Sequence, residues 1–473
     1  MEYKNSVREV VNFIEKIERE LSLLNYKIDG VYFWKLIRFP IFDKILANDS
    51  VMNNSFNHKK INIYFFMQIL KQEINIVSKD ALKYAKKSDI LIMKSPRKTR
   101  YDNQFRDIYT YFIERELRKN TDLKVETFEI GIQNQEILKD NNSKFAMESR
   151  IIQKIKQKKL KVNINKAEKE LLMKIQQSIL LEYGLEIYIE NFVDKVIRSF
   201  KVKQNYYKKL FLKTKPKTIF LVCSYGNEAM ISAAQDLNIK VVEIQHGTMS
   251  KYHVGYDFGD MKKIPYFPDE LLLFGEYWKE ITDIPLQSQN IKVIGYPYLG
   301  EQLKNYKDVE KQKNTLIFLS QPTIARPLIE IALNFAKKNE KYKIIYKLHP
   351  NEYSIWKKDY PKLLEAIKLN NFVLVDDQKK NLHELLSYGE YQIGVYSTAI
   401  YEGLELGCKT VLIDLPGLEE VEFLIDQKLA LLVKNENELL ESINNFNAEY
   451  YKRGFVFKNI DKFEEEVKKI IGY

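Results

Sequence analysis

The sequence predicts an α/β protein of two parallel-sheet lobes with a cleft between them, preceded by a helical region. Two observations predict this. From about residue 86 onward, short apolar runs bounded by turn residues alternate with helical stretches, the pattern of parallel strands covered by helices on both faces. The alternation also occurs twice, once ending near residue 305 and again between about 313 and 440. The length of 473 residues allows two to four domains with sizeable cores.

The elements follow in chain order. Residues 1–85 read as an N-terminal helical region, because Val7, Val10, Val11, Phe13, Ile14, Ile17, Leu21 and Leu24 recur near the helical period. Val31–Phe42 is aromatic and basic and is interrupted by Pro40. It fits either packing against the first lobe or docking at a membrane boundary, where Trp, Phe and cations are at home. Residues 86–305 read as a first Rossmann-like lobe, with strands at Asp89–Lys94, Lys124–Ile130, Thr218–Ser224, Lys240–Gln245, Glu270–Phe274 and Lys292–Ile294. A long Lys-rich helical insertion occupies about 145–212. Residues 306–450 read as a second Rossmann-like lobe, with strands at Thr315–Leu319, Lys343–Lys347, Phe372–Val375, Tyr391–Val395 and Thr410–Ile413. Residues 451–473 end in a closing helix.

Composition narrows the class. Hydrophobic residues make up 45% and charged residues 29%, and the net charge is +11, which fits a folded protein with an affinity for anionic partners. Lys is interleaved with Glu and Asp over most of the chain, so a solvated basic surface is expected and nucleic acid is not expected as a partner. Two cysteines, Cys223 and Cys408, with no CxxC or Cys/His cluster, speak against a disulfide framework or structural zinc. The N-terminus lacks a signal-peptide core, and apolar stretches such as Ile61–Leu70 are too short to span a bilayer. A cytoplasmic protein is expected, either free or peripheral at the inner face of the membrane. There is no GxxxxGK[ST] loop and no GxGxxG after a strand, which disfavours P-loop hydrolysis and dinucleotide redox chemistry. Asp376–Asp377 is a poor metal signal, and no metal or other cofactor is expected.

Three motifs sit at strand ends, where open α/β sheets bind ligands. In Tyr346–Asn351 (YKLHPN), Lys347 and His349 can contact phosphate and Pro350 stiffens the turn. In Gly394–Gly407 (GVYSTAIYEGLELG), Ser397 and Thr398 open a helix whose free N–H groups suit an anion. Glu402, one turn on, can accept hydrogen bonds from ribose hydroxyls. In Val241–Ser250 (VVEIQHGTMS), His246 precedes Gly247 and is the natural general base near neutral pH. Gln321 in LSQP is a further donor-side candidate, and Glu228 in SYGNE is the reserve candidate for the base.

Taken in order, QHG, VIGYP, SQP, KLHP and STAxxEGxxLG resemble the GT-B glycosyltransferases of bacterial capsule and lipopolysaccharide synthesis over about residues 215–435. The HP element with a downstream Ser-Thr resembles bacterial sialyltransferases and Kdo transferases, which use CMP-linked sugars. By that resemblance His349, Ser397 and Thr398 contact donor phosphate. The HG element resembles the CDP-glycerol glycerophosphotransferases and implies His246 as the base. Glu402 looks like the ribose-binding acid of many GT-B enzymes. The acidic D/E-D/E-G element of several sialyltransferase families is missing, and Asp257–Asp260 only echoes it. The resemblance implies a metal-independent, inverting transferase that takes a nucleotide-sugar donor and a glycan or lipid-linked glycan acceptor. A CDP-polyol phosphotransferase, a nucleotide-sugar 2-epimerase and a non-catalytic assembly subunit are the alternatives.

Overall fold

The computed structural model describes residues 6–48, 63–101, 104–132, 143–377, 380–448, 451, 453–461 and 463–471. The helical expectation for residues 1–5 and 49–62 lies outside them. The first lobe contains β1 (Ile90–Lys94), an antiparallel hairpin of β2 (Lys98–Tyr101) and β3 (Gln104–Asp107), then β4 (Val125–Glu129), β5 (Thr218–Val222), β6 (Lys240–Ile244), β7 (Glu270–Leu273) and β8 (Ile291–Val293). Its six-stranded sheet is parallel, in the order β4-β1-β5-β6-β7-β8. The second lobe contains β9 (Gln312–Leu319), β10 (Lys343–Lys347), β11 (Phe372–Val375), β12 (Gly389–Gly394), β13 (Lys409–Ile413) and β14 (Leu431–Val433), in the order β11-β10-β9-β12-β13-β14. That sheet too is parallel throughout. This is the GT-B architecture of two Rossmann-like lobes. Each sheet reverses its strand order once, between β1 and β5 and between β9 and β12, and these switch points are where doubly wound sheets open a crevice.

The strands form where expected because they are apolar runs buried on both faces, such as Ile90–Met93, Leu271–Leu273 and Leu316–Phe318. The hairpin, β14 and the helices Tyr111–Asn120, Pro297–Asn305 and Glu436–Asn444 carried no clear signal. They are short or mix charge with apolar positions, so no period stands out.

The N-terminal helices are not a free-standing unit. Val7–Glu20 begins at Ser6, whose hydroxyl and the Glu9 carboxylate form a reciprocal capping box. Its apolar stripe packs with Phe33–Asn48 against the helices Lys166–Tyr183 and Ile189–Thr214. For Val31–Phe42 the break at Pro40 is corrected, and of the two alternatives packing against the first lobe holds. Pro40 lies inside the continuous Phe33–Asn48 helix rather than breaking it. The stretch is also no membrane patch, because Phe33, Trp34, Ile37 and Ile41 are fully buried. Arg38 explains the orientation. Its guanidinium bonds the buried Glu18 at 2.6 Å and donates to the Val254 and Asp257 carbonyls, which ties this helix to the loop after β6.

The chain finally returns from the second lobe to the first. Lys458 N–H donates to the Phe274 carbonyl at 2.7 Å and Tyr277 N–H to the Phe455 carbonyl at 3.3 Å. The helix Phe463–Ile471 then packs on Tyr111–Asn120. Gly275 permits the close approach, since a Cβ there would sit 2.2 Å from the Val456 carbonyl oxygen. Gly275→Ala is therefore expected to displace this return strap and to lower unfolding stability by about 2 kcal/mol or more, as overpacking does. Urea unfolding checks this, and an unchanged midpoint would show that the strap gives way freely.

Candidate active site between the lobes

The two crevices face each other. From the first lobe come Ser95–Arg97 after β1, Ser224–Tyr225 after β5 and Gln245–Gly247 after β6. From the second come Ser320–Gln321 after β9, Leu348–Pro350 after β10 and Tyr396–Thr398 after β12. The lobes touch here, for a Cβ built on Gly247 would lie 3.6 Å from the Thr398 hydroxyl. Around this point the seam is bonded. Ser250 donates to Glu420, Tyr252 donates to Glu422 at 3.2 Å, and the Tyr277 and Tyr401 hydroxyls meet at 2.9 Å. Burial pushes the Glu420 carboxyl up to about 7.

His246 stands between two tyrosines. The Tyr225 hydroxyl is 3.1 Å from Nε2 and the Tyr256 hydroxyl 3.2 Å from Nδ1. Tyr256 gives its proton to the buried Glu243, which also accepts the Ser224 N–H at 2.9 Å. With that proton committed, the Tyr256 oxygen accepts from His246 Nδ1–H. Nε2 is then the unprotonated nitrogen and accepts from Tyr225. Burial, helped by the charge of Arg97, lowers the His246 pKa to about 4, so the ring is neutral at pH 7. Burial raises Glu243 to about 6, which leaves it ionised there.

Arg97 is the central cation of the cleft. It donates to the Tyr109 hydroxyl at 2.7 Å, and Tyr109 donates to the His246 carbonyl at 2.6 Å. Tyr296 stacks beside Tyr109 with ring centroids 5.9 Å apart. The field of Arg97 reaches His246, His349 and Glu402, which are contributed by both lobes.

On the second lobe, His349 caps the turn Pro350–Glu352. Its Nδ1 accepts the Asn351 N–H at 3.2 Å, and its own N–H donates to Glu352 at 2.7 Å. The neutral ring therefore carries its proton on Nε2, as a donor suited to an anion. Burial, then Arg97 and Lys347, lower its pKa. Lys347 lies beneath this turn, donating to the Leu348 carbonyl at 2.9 Å and to the Tyr353 hydroxyl, and burial brings its pKa down to about 8. Pro350 opens the turn.

Ser397 is the N-cap of the helix Thr398–Glu405, its hydroxyl accepting the Ala399 N–H at 3.2 Å. Gln321 is turned onto the Tyr396 carbonyl and braces the end of β12. Glu402 is buried, with an oxygen 3.0 Å from His383 Nε2. That contact is not an aligned hydrogen bond. Burial alone would raise Glu402, but the His383 ring and the Arg97 guanidinium outweigh it and hold it below the usual carboxylate range. Glu228 stands apart from the His246 relay. It accepts the Gly226 N–H at 3.0 Å, and its nearest cation is the buried Lys35 of the N-terminal region. Among the described residues, no group of three or more His, Cys, Asp or Glu could hold a metal ion.

The structure thus brings His246, His349 and Glu402 within the field of Arg97, and sets Thr398, beside the N-cap Ser397, against Gly247. Sequence reading missed Arg97, Glu243, Tyr225 and Tyr256. A buried strand running straight into Ser95-Pro96-Arg97, and an acid inside the apolar run KVVEIQ, were the available signals.

The fold has known counterparts. The Methanocaldococcus jannaschii UDP-GlcNAc 2-epimerase, solved with UDP-GlcNAc and UDP, aligns with a TM-score of 0.50 at 14% identity, covering 81% of this chain and 99% of that one. The Neisseria meningitidis UDP-GlcNAc 2-epimerase bound to UDP-GlcNAc aligns at 0.47, with 15% identity and coverage of 81% and 98%. A Streptomyces glycosyltransferase aligns at 0.38, with 12% identity and coverage of 80% and 95%. At these identities the likeness concerns the fold. No family model matches the chain, and no curated protein matches it in sequence.

The His246 environment has a consequence for stability. The folded state takes up the His246 proton near pH 4, whereas the ordinary value is 6.5. The unfolded chain therefore binds more protons between these values, and stability falls as pH drops through that window. His246→Gln should remove on the order of 2 kcal/mol of the stability difference between neutral pH and about pH 4.5. Urea titrations at both pH values measure this, and an unaltered difference would mean the ring is solvated.

Proposed function

We propose that the protein is a glycosyltransferase that moves a sugar from a nucleotide-activated donor onto a bacterial surface glycan, of the capsule or lipopolysaccharide kind, or onto its lipid-linked precursor. One observation carries this reading: a neutral histidine with a fixed tautomer on one lobe opposes a helix N-terminus on the other, with the charge of Arg97 reaching both faces. The donor phosphate sits against the N–H groups and hydroxyls of Ser397 and Thr398, with His349 Nε2–H as a further donor. Glu402 takes the ribose hydroxyls once the lobes part to admit the nucleotide. The acceptor hydroxyl replaces Tyr225 at His246 Nε2. As its oxygen bonds to the anomeric carbon, its proton passes to His246. The bond from that carbon to the donor phosphate breaks, and the phosphate leaves with the electron pair. Arg97 and the helix dipole stabilise the departing charge, and lobe closure excludes water. Direct attack of this kind inverts the anomeric centre.

A second reading, a nucleotide-sugar 2-epimerase, is supported by the fold shared with the Methanocaldococcus enzyme. It needs no acceptor, so conversion of donor alone into an epimer would select it. A phosphodiester product would select the CDP-polyol phosphotransferase.

Thermal-shift measurements with CMP, CDP, UDP, GDP and ADP, with and without magnesium, should show selective stabilisation, because a ligand of the folded state adds RT ln(1 + [L]/Kd). A CMP preference would point to sialic-acid-like or Kdo-like donors, and UDP or GDP to other sugars. His349→Ala should weaken nucleotide binding by about tenfold or more, the cost of a charge-assisted contact. His246→Ala should leave binding intact and abolish transfer. Full transfer by His246→Ala would remove the proposed base, and no shift with any nucleotide would remove the enzyme reading.

A further inference from the structure

Among its described side chains, the helix Ile63–Ser78 buries Ile76 on one face and leaves an apolar stripe on the other. Its acid, Glu73, is 4% exposed and accepts the Arg150 N–H at 2.8 Å. Met67, Leu70, Ile74 and Val77 instead face solvent, with Met67 and Ile74 both 61% exposed. These four positions recur at intervals of three and four residues and so form one stripe. Ordinary surface helices present the opposite arrangement. The Arg150 contact joins this helix to Arg150–Lys159, where Ile151, Ile152 and Ile155 are also exposed. Two neighbouring helices therefore present apolar side chains outward, and contiguous exposed apolar surface marks an interaction site.

Charge says what covers it. Residues 63–88 and 143–166 carry thirteen Lys and Arg against three Asp and Glu, a net +10 of the chain's +11. The remainder of the protein is close to neutral, so the basic character of the chain belongs to these two segments. Lys71, Lys154, Lys158 and Lys159 are exposed beside the apolar stripe. Their methylene stems can lie along an apolar surface while the ammonium groups reach anionic headgroups. A soluble polyanion would use the charge but leave the apolar stripe in water, whereas a bilayer surface satisfies both.

We propose that the helices Ile63–Ser78 and Arg150–Lys159 dock the protein on an anionic lipid bilayer, with Met67, Leu70, Ile74, Ile151 and Ile155 entering the headgroup boundary and the lysines pairing with lipid phosphates. No described helix is long and apolar enough to cross a membrane, so this docking is peripheral. The surface adjoins the first-lobe side of the cleft. A cavity of about 160 Å³ is lined by Glu148 and Gln153 from this region and by Gly226 and Asn227 from the loop after β5. The inference is independent of which nucleotide or reaction the cleft serves.

Vesicle co-sedimentation of the full chain tests it, with phosphatidylcholine alone against an equimolar mixture with phosphatidylglycerol. Capture by the mixed vesicles and not by phosphatidylcholine is expected. Met67→Gln/Ile74→Gln/Ile155→Gln should reduce capture on the order of tenfold or more, since buried apolar area drives insertion. Lys154→Glu/Lys158→Glu/Lys159→Glu should do the same and remove the dependence on phosphatidylglycerol. All these positions are exposed, and an unchanged thermal midpoint verifies folding. The proposal is overturned if mixed vesicles do not capture the protein, or if the apolar variant is captured as well as the parent. Heparin binding that the apolar variant keeps in full, without vesicle capture, would assign the surface to a soluble polyanion. A dimer in size-exclusion that the apolar variant dissolves, again without vesicle capture, would assign it to a second copy.

Discussion

One guanidinium, that of Arg97 beyond the end of β1, is the charge that both faces of the cleft share. Arg97 keeps contact with solvent, and groups of the protein meet its charge as well. Tyr109 accepts from it on the first lobe, and the Glu402 carboxylate answers its charge from the second. Burial keeps His246 and His349 from protonating, and the same charge adds to it. One residue thereby contributes to the ionisation of the candidate base, the candidate phosphate ligand and the candidate ribose ligand. It can do so because parallel sheets deliver the ends of β1, β6, β10 and β12 to one place.

The second organising device is a relay of single hydrogen bonds. Glu243 lies inside β6, where an unpaired carboxylate would be costly, and it takes the Tyr256 proton. That choice propagates to the His246 ring and fixes which nitrogen is basic. The relay needs the loop 248–258 in place. This is the service of the N-terminal helices: Arg38 holds the Val254 and Asp257 carbonyls, and Phe39 stacks on Tyr225 at 4.8 Å. A region that reads as a separate helical domain is thus a wall of the site.

The seam between the lobes combines polar bonds with an aromatic cluster. Ser250–Glu420 and Tyr252–Glu422 are exchangeable bonds near the mouth. At the base, Tyr277, Trp278 and Tyr401 pack with Phe455 and Phe457 of the returning chain.

Much of the fold is legible in the sequence, since β1, β5, β6, β7, β9, β10 and β12 are apolar runs whose burial on both faces is a local property of composition. His246, His349, Ser397 and Thr398 were legible for the same reason, because each follows directly on such a run. Arg97 and Glu243 were not, since a lone Arg in a turn and a lone Glu in a strand acquire meaning only when distant strands bring Tyr109, Tyr256 and Glu402 beside them. The burial of Val31–Phe42 and the exposure of Met67 and Ile74 were likewise settled by tertiary packing. Hydropathy records how apolar a segment is, and only the packed structure decides which apolar segments find a partner within the chain. The sequence by itself therefore determined two Rossmann-like lobes and the strand ends that carry the candidate site residues. The tertiary structure alone decided the charge balance that makes them one site.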